Sequence, residues 1–93
     1  MTINDIKPGY LVQLRDGKLH MVMQTTSEPV LVTKSGLWCT LKGRSLGGND
    51  DLAIIKVYGY CYFAHKALNI STEDRELLWE HKEKKTYTYA QLR

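Results

Sequence analysis

The feature that most constrains the fold of this chain is the pair Asp16-Gly17, which separates two runs of β-forming residues, 10–15 and 18–23. An Asp-Gly pair readily adopts the positive φ angles of a two-residue type I′ turn. The two runs are therefore predicted to form a tight antiparallel hairpin.

The register of this hairpin follows from the two-residue turn, which places Arg15 opposite Lys18. One face of the hairpin is then predicted to be apolar, formed by Tyr10, Val12, Leu14, Leu19, Met21 and Met23. Gln13 and His20 share the opposite face, which is polar. The separation of apolar from polar residues favours this register.

Further strand-like runs follow. Residues 30–33 and 37–41 flank Lys34-Ser35-Gly36, a three-residue connection with the glycine that a hairpin needs, and Leu37, Cys39 and Leu41 alternate onto one face. Residues 52–58 are almost continuously apolar, which is typical of a central strand. Residues 42–51, with three glycines, are predicted to be a mobile surface loop.

The ends of the chain are less regular. Pro8-Gly9 predicts a turn, with Ile3 and Ile6 tucked against the sheet. Ser71 followed by acids is typical of a helix start, and the apolar residues from Leu77 either continue that helix or begin a strand through His81 and Lys82. We expect a short turn and then a strand, because residues 86–89 also contain β-formers, and the choice between helix and strand for residues 71–93 stays open.

These elements predict one globular domain over residues 1–93. Its fold class is mainly β, with α+β as the alternative: a small, bent antiparallel sheet or an SH3-like open barrel with at most one or two short helices. Apolar runs fall short of the roughly 20 residues that cross a bilayer, and the first residues lack the pattern of a secretory signal. We expect no membrane contact and a cytoplasmic location in a bacterial host, with both cysteines reduced.

No catalytic motif is present in the sequence. It has no G-x-S-x-G, H-E-x-x-H, phosphate-binding G-x-x-x-x-G-K-S/T or dinucleotide-binding G-x-G-x-x-G pattern. The neighbouring acids Asp50-Asp51 and Glu73-Asp74 fit a solvated loop and a helix start. We therefore predict that the protein is not an enzyme.

Cys61 and His65 form a C-x3-H pair, a spacing that allows both side chains to ligate one zinc ion. A structural zinc would need further ligands, for which Cys39 is the first candidate, followed by His20 and His81. The alternative for Cys39 is a core thiol, because it alternates with two leucines.

A partner-binding surface is predicted from two groups of residues. Tyr58, Tyr60, Tyr62 and Phe63 are dense for so short a stretch; half or more should be buried in the core, but the rest would suit a protein interface. Lys42 and Arg44 lie in the glycine-rich loop. The net charge of +3 and the pI near 8.9 leave a small nucleic-acid-binding β-barrel as the alternative.

Three segments carry a resemblance to known proteins: I-K-x-G-Y-x-V-x-L-R-x-G from Ile6, I-I-K-V-Y-G-Y from Ile54, and K-A-L-N-I-S-T-E-D-R-E-L-L-W-E from Lys66. In these segments the chain resembles small phage and prophage proteins of intestinal Gram-positive bacteria. That setting implies an accessory or counter-defence factor of the anti-CRISPR type, which would inhibit a host CRISPR nuclease by stoichiometric binding.

Overall fold

The computed structural model describes residues 1–36, 38–48 and 50–81. These residues form one antiparallel sheet of six strands in the order β4-β3-β2-β1-β5-β6. The strands are β1 (Leu11–Leu14), β2 (Leu19–Gln24), β3 (Pro29–Val32), β4 (Trp38–Thr40), β5 (Ile54–Cys61) and β6 (Arg75–Glu80). The described helical structure is limited to the single 3-10 turns Ile3–Asp5 and Ala64–Lys66. The predicted mainly β fold with a small antiparallel sheet is confirmed.

The first hairpin forms, but its predicted register is wrong by one residue. The structure pairs Val12 with His20, and the Leu14 amide donates to the Lys18 carbonyl, so three residues rather than two form the connection. Gly17 has a φ of +88°, whereas Asp16 is not among the residues with positive φ. A type I′ turn needs positive φ at both positions, so this connection is the three-residue kind that ends on a left-handed glycine.

The shift of one residue moves His20 from the predicted polar face to the face that packs on the core. His20 lies opposite Val12 and is only 7% exposed. Its Nδ1 atom has no hydrogen-bond partner among the described residues, and burial lowers the pKa of the imidazole. The core around it consists of Ile6, Val12, Leu14, Val22, Leu31, Leu41, Ile54 and Val57.

The second hairpin agrees with the prediction. Leu31 pairs with Cys39, and Gly36 has a φ of +83° at the end of the connection. Leu41 is buried and Cys39 packs against the core, as their predicted shared face requires, while Leu37 lies outside the described residues. This placement supports the core-thiol interpretation of Cys39.

β5 is paired on both sides, with β1 and β6, so the predicted central position is confirmed. It begins at Ile54 and continues to Cys61, three residues beyond the predicted end. The described part of residues 42–51 contains no strand, but it is attached to the sheet by a bridge between Leu46 and Ile54 and by two hydrogen bonds, of 2.6 and 3.0 Å, from the Arg15 guanidinium to the Gly48 carbonyl. Its mobility stays a prediction.

At the C-terminal side, the helix alternative is wrong for the described residues, and the strand alternative is confirmed for Arg75–Glu80; His81 follows the strand, and Lys82 lies outside the described residues. Asp74 has a φ of +61°, which no helix start allows, and β6 follows directly. Residues 82–93, including the β-formers at 86–89, lie outside the described residues. At the other end, Ile6 is buried and Gly9 forms the predicted turn with a φ of +96°.

Candidate partner-binding surface

Arg75, the first residue of β6, is buried to all but 8% of its surface and uses every N–H of its guanidinium group. The five acceptors are backbone carbonyl oxygens at 2.9–3.2 Å, those of Gly9, Gly59, Ala67, Asn69 and Ser71. No described carboxylate forms an ion pair with it. Five oriented carbonyl dipoles therefore take the place of a counterion.

These five acceptors belong to three separate parts of the chain. Gly9 is in the N-terminal turn, Gly59 is in β5, and the other three lie in the connection between β5 and β6. That connection contains little regular secondary structure, so its backbone carbonyls need hydrogen-bond partners from elsewhere. Arg75 supplies them and fixes the connection over the end of β5.

An exposed apolar surface lies at this fixed end of β5. We call it the aromatic surface and define it by four residues with their exposed fractions: Tyr60 (55%), Tyr62 (68%), Phe63 (48%) and Leu68 (75%). Tyr58 is half-buried between Leu11 and Leu77 in the sheet. The prediction that half or more of the four aromatic residues are buried is therefore wrong, because three of them are exposed.

Two of the aromatic rings are held by neighbours in spite of their exposure. The Tyr60 ring packs edge-on against Tyr10 with ring centroids 4.8 Å apart, and it lies so close to Gly9 that a Cβ atom there would come within 2.9 Å of Cε1. The Phe63 ring lies 5.7 Å from the Lys66 ammonium. Ordered aromatic rings lose little conformational freedom on binding, which favours an interface.

Lys66 is in turn fixed by Asp74, whose carboxylate lies 3.1 Å from Nζ. The hydrogen bond to Asp74 raises the pKa of the Lys66 ammonium. The Asp74 carbonyl also accepts a hydrogen bond from the Tyr62 amide at 2.8 Å. Asp74, in its left-handed conformation, therefore anchors two residues of this segment: Lys66 through its carboxylate and Tyr62 through its carbonyl.

The aromatic surface borders two shallow depressions. One, of about 230 Å³, lies between Tyr60 and Leu68 and is lined by Pro8, Met21 and Met23. The other, of about 250 Å³, lies between Tyr60 and Tyr62 and is lined by Tyr10, Glu76 and Leu78. Both are mostly apolar with few polar groups, as at the centre of protein interfaces.

The two predicted basic contacts lie elsewhere. Lys42 is exposed and Arg44 is partly buried, with its Nε donating to the Thr40 carbonyl at 3.2 Å. Both belong to the loop that is attached to the start of β5 at Ile54, whereas the aromatic surface begins at Tyr60 near the end of that strand. Six residue steps of strand from Ile54 to Tyr60 span roughly 20 Å. The structure does not bring the two predicted groups together.

The predicted zinc ligands are also not assembled. Cys61 and His65 flank the aromatic surface, but Cys39 lies in β4, separated from β5 in the sheet by β3, β2 and β1. Among the described residues there is no group of three His, Cys, Asp or Glu side chains that would hold a metal ion.

Sequence reasoning missed the two residues that matter most here. Arg75 lies in the run S-T-E-D-R-E, where every charge fits a solvated turn, and nothing in that pattern distinguishes a buried arginine. Leu68 stands alone between polar residues and carries no periodic signal. The aromatic density itself was the usable signal, and it identified Tyr60, Tyr62 and Phe63.

No protein-family model matches this chain, and neither the curated proteins nor the solved structures contain a significant match to it. In the part of the chain that the structure describes, no helix has the length and hydrophobicity to cross a bilayer.

Proposed function

We propose that this protein acts by binding a partner protein in a fixed molar ratio, with the aromatic surface at the centre of the contact. The observation that carries the proposal is that Tyr60, Tyr62, Phe63 and Leu68 are all exposed, and that Tyr60 shares one depression with Leu68 and another with Tyr62. Apolar side chains clustered in this way are unusual on a small protein without a partner. Tyrosine is also among the residues enriched at binding hot spots.

The scaffold supports this role. Arg75 fixes the connection that carries Phe63 and Leu68, and Tyr10 and Gly9 hold the Tyr60 ring. A surface that is already ordered binds at a smaller entropic cost.

For the identity of the partner, the sequence resemblance to phage accessory proteins supports a host CRISPR nuclease. The protein would then be an anti-CRISPR that occupies a surface of the nuclease without modifying it. The alternative is the nucleic-acid-binding barrel, for which the net charge of +3 is the main support.

The experiment is a titration of the protein into a fixed amount of a CRISPR nuclease from a Gram-positive host, with DNA cleavage as the readout. Inhibition is expected to saturate near one molar equivalent and to stay unchanged on longer incubation. Complete inhibition far below one equivalent would contradict stoichiometric binding.

The alternative is tested in the same preparation by binding to duplex and single-stranded DNA over a salt series. Phosphate contacts weaken steeply with salt, because bound counterions are released. Tight DNA binding with such a dependence, together with no effect on any nuclease, would replace the proposal by the nucleic-acid alternative.

A further inference from the structure

The outer edge of β6 carries an inference that rests on the proposed function and specifies how the partner binds. β6 is the last strand of the described sheet and pairs only with β5. A strand in this position presents unpaired backbone N–H and C=O groups along one side.

The two edges of the sheet differ in how they are protected. β4 is three residues long, and short edge strands offer little to pair with. β6 is six residues long, contains neither lysine nor proline, and exposes Leu77 by 45% and Leu78 by 40%. Within the described residues, its protection is limited to the charges of Glu76 and Glu80 and to the irregular pairing with β5 around Tyr58.

The charges of β6 indicate what would pair with it. Arg75 turns its guanidinium inward to five carbonyls, and Glu80 is paired with Lys56 at 3.3 Å. Glu76 is exposed, has no ion pair among the described residues, and lines the depression between Tyr60 and Tyr62. The edge is thus apolar with one negative charge, although the whole chain is positive.

We propose that an extended segment of the partner protein adds to β6 as a further strand, with a lysine or arginine facing Glu76 and apolar side chains packing on Leu78 and Tyr60. Strand addition obtains affinity from main-chain hydrogen bonds and specificity from the side chains at alternate positions. The depression beside Leu78 receives one of those side chains. A basic segment fits a CRISPR nuclease, because proteins that hold nucleic acid are rich in lysine and arginine.

The test uses the full chain, labelled with ¹⁵N, and two synthetic octapeptides with threonine at every second position. At the positions between, which share one face of the added strand, lysine alternates with valine in the lysine peptide and glutamate alternates with valine in the glutamate peptide. The lysine peptide is expected to shift the amide signals of Arg75–Glu80 in a saturable way, and the glutamate peptide to bind at least about fivefold more weakly. The Glu76→Lys variant is expected to lose about fivefold or more in affinity for the lysine peptide. Glu73→Lys, an exposed acid in the preceding turn, is the matched control and should change affinity less than about twofold.

Three results would overturn this inference: equal binding of both peptides, shifts that centre outside Arg75–Glu80, or no saturable shift at all. A concentration-dependent dimer that Leu77→Lys abolishes would assign the edge to a second copy of the chain and would overturn it as well. If a nuclease binds and hydrogen exchange at Arg75–Glu80 is not slowed in that complex, strand addition fails while the proposed function stands. If no protein partner binds, the proposed function itself fails.

Discussion

The Nη1 atom of Arg75 donates a hydrogen bond to the carbonyl oxygen of Gly9 at 2.9 Å, and the two residues are 66 positions apart in the sequence. The same Nη1 atom donates to Gly59 at 2.9 Å. One guanidinium group therefore joins the N-terminal turn to β5, and the glycine that it binds in that turn is the one against which the Tyr60 ring packs. The integrity of the aromatic surface depends on this contact.

Arg75→Lys is expected to lower the free energy of unfolding by roughly 2–4 kcal/mol. Lysine keeps the charge but has only three donors, so buried carbonyls lose their partners. Denaturant unfolding measures the change. The control is Arg44→Lys, which touches a single carbonyl and should cost about 1 kcal/mol or less. Equal losses for the two variants would contradict the role of Arg75.

Gly9→Ala is expected to destabilise the protein more than Gly17→Ala. Both glycines have positive φ, and an alanine in that conformation costs about 1–2 kcal/mol. At Gly17 no heavy atom lies within 4 Å of the added Cβ, whereas at Gly9 the Tyr60 ring lies at 2.9 Å and must move. Thermal melts of the two variants compare these costs directly, and equal melting temperatures would show that Tyr60 does not rest on Gly9.

The first hairpin shows how far the sequence determines the fold. The alternation of residue types and the Asp-Gly pair located the turn and both strands correctly. They did not reveal that Asp16 avoids positive φ, because this depends on contacts from a distant loop: the Arg15 amide donates to Ala53 and the Asp16 amide to Asp51. A one-residue error in register then placed His20 on the wrong face.

The candidate site was predictable only in part, for a similar reason. Tyr60, Tyr62 and Phe63 stand out by their density, which is a local property of the sequence. The role of Arg75 is set by carbonyls from distant parts of the chain, and no local pattern encodes their convergence. The predicted strand ended at Tyr58, whereas β5 continues to Cys61. The separation of Arg44, which precedes β5, from Tyr60, which lies near its end, likewise follows from the length of this strand.

The stability of the protein is expected to decrease as the pH falls below about 6.5, in part because of His20. Burial lowers its pKa in the folded state, and the nearby positive charges of Arg44 and Lys18 act in the same direction, whereas a hydrogen bond that the imidazole donates to the Lys18 backbone and the negative charge of Asp16 act against them. The unfolded state therefore binds the proton more readily than the folded state. The contribution of neutral His20 to stability is present above the pKa of histidine in the unfolded chain and is lost as the pH falls below it.

Unfolding experiments at pH 7.5 and 5.5 test this expectation. The His20→Leu variant should show a smaller difference in unfolding free energy between the two pH values than the wild type, because its side chain takes up no proton. If the variant shows the same difference in unfolding free energy as the wild type, other titratable groups account for the whole pH dependence of stability.

The most direct test of the central claim is the affinity of the proposed partner, a CRISPR nuclease, for the double variant Tyr60→Ala/Tyr62→Ala, measured by isothermal titration calorimetry. The control is Leu52→Ala, which removes a side chain of similar exposure (43%) from the loop before β5. Both variants must first show wild-type melting, so that lost binding is not lost folding. We predict a loss of affinity of at least about 30-fold for the double variant, equivalent to about 2 kcal/mol, and less than about twofold for the control. Wild-type affinity in the double variant would contradict the assignment of the aromatic surface as the binding site.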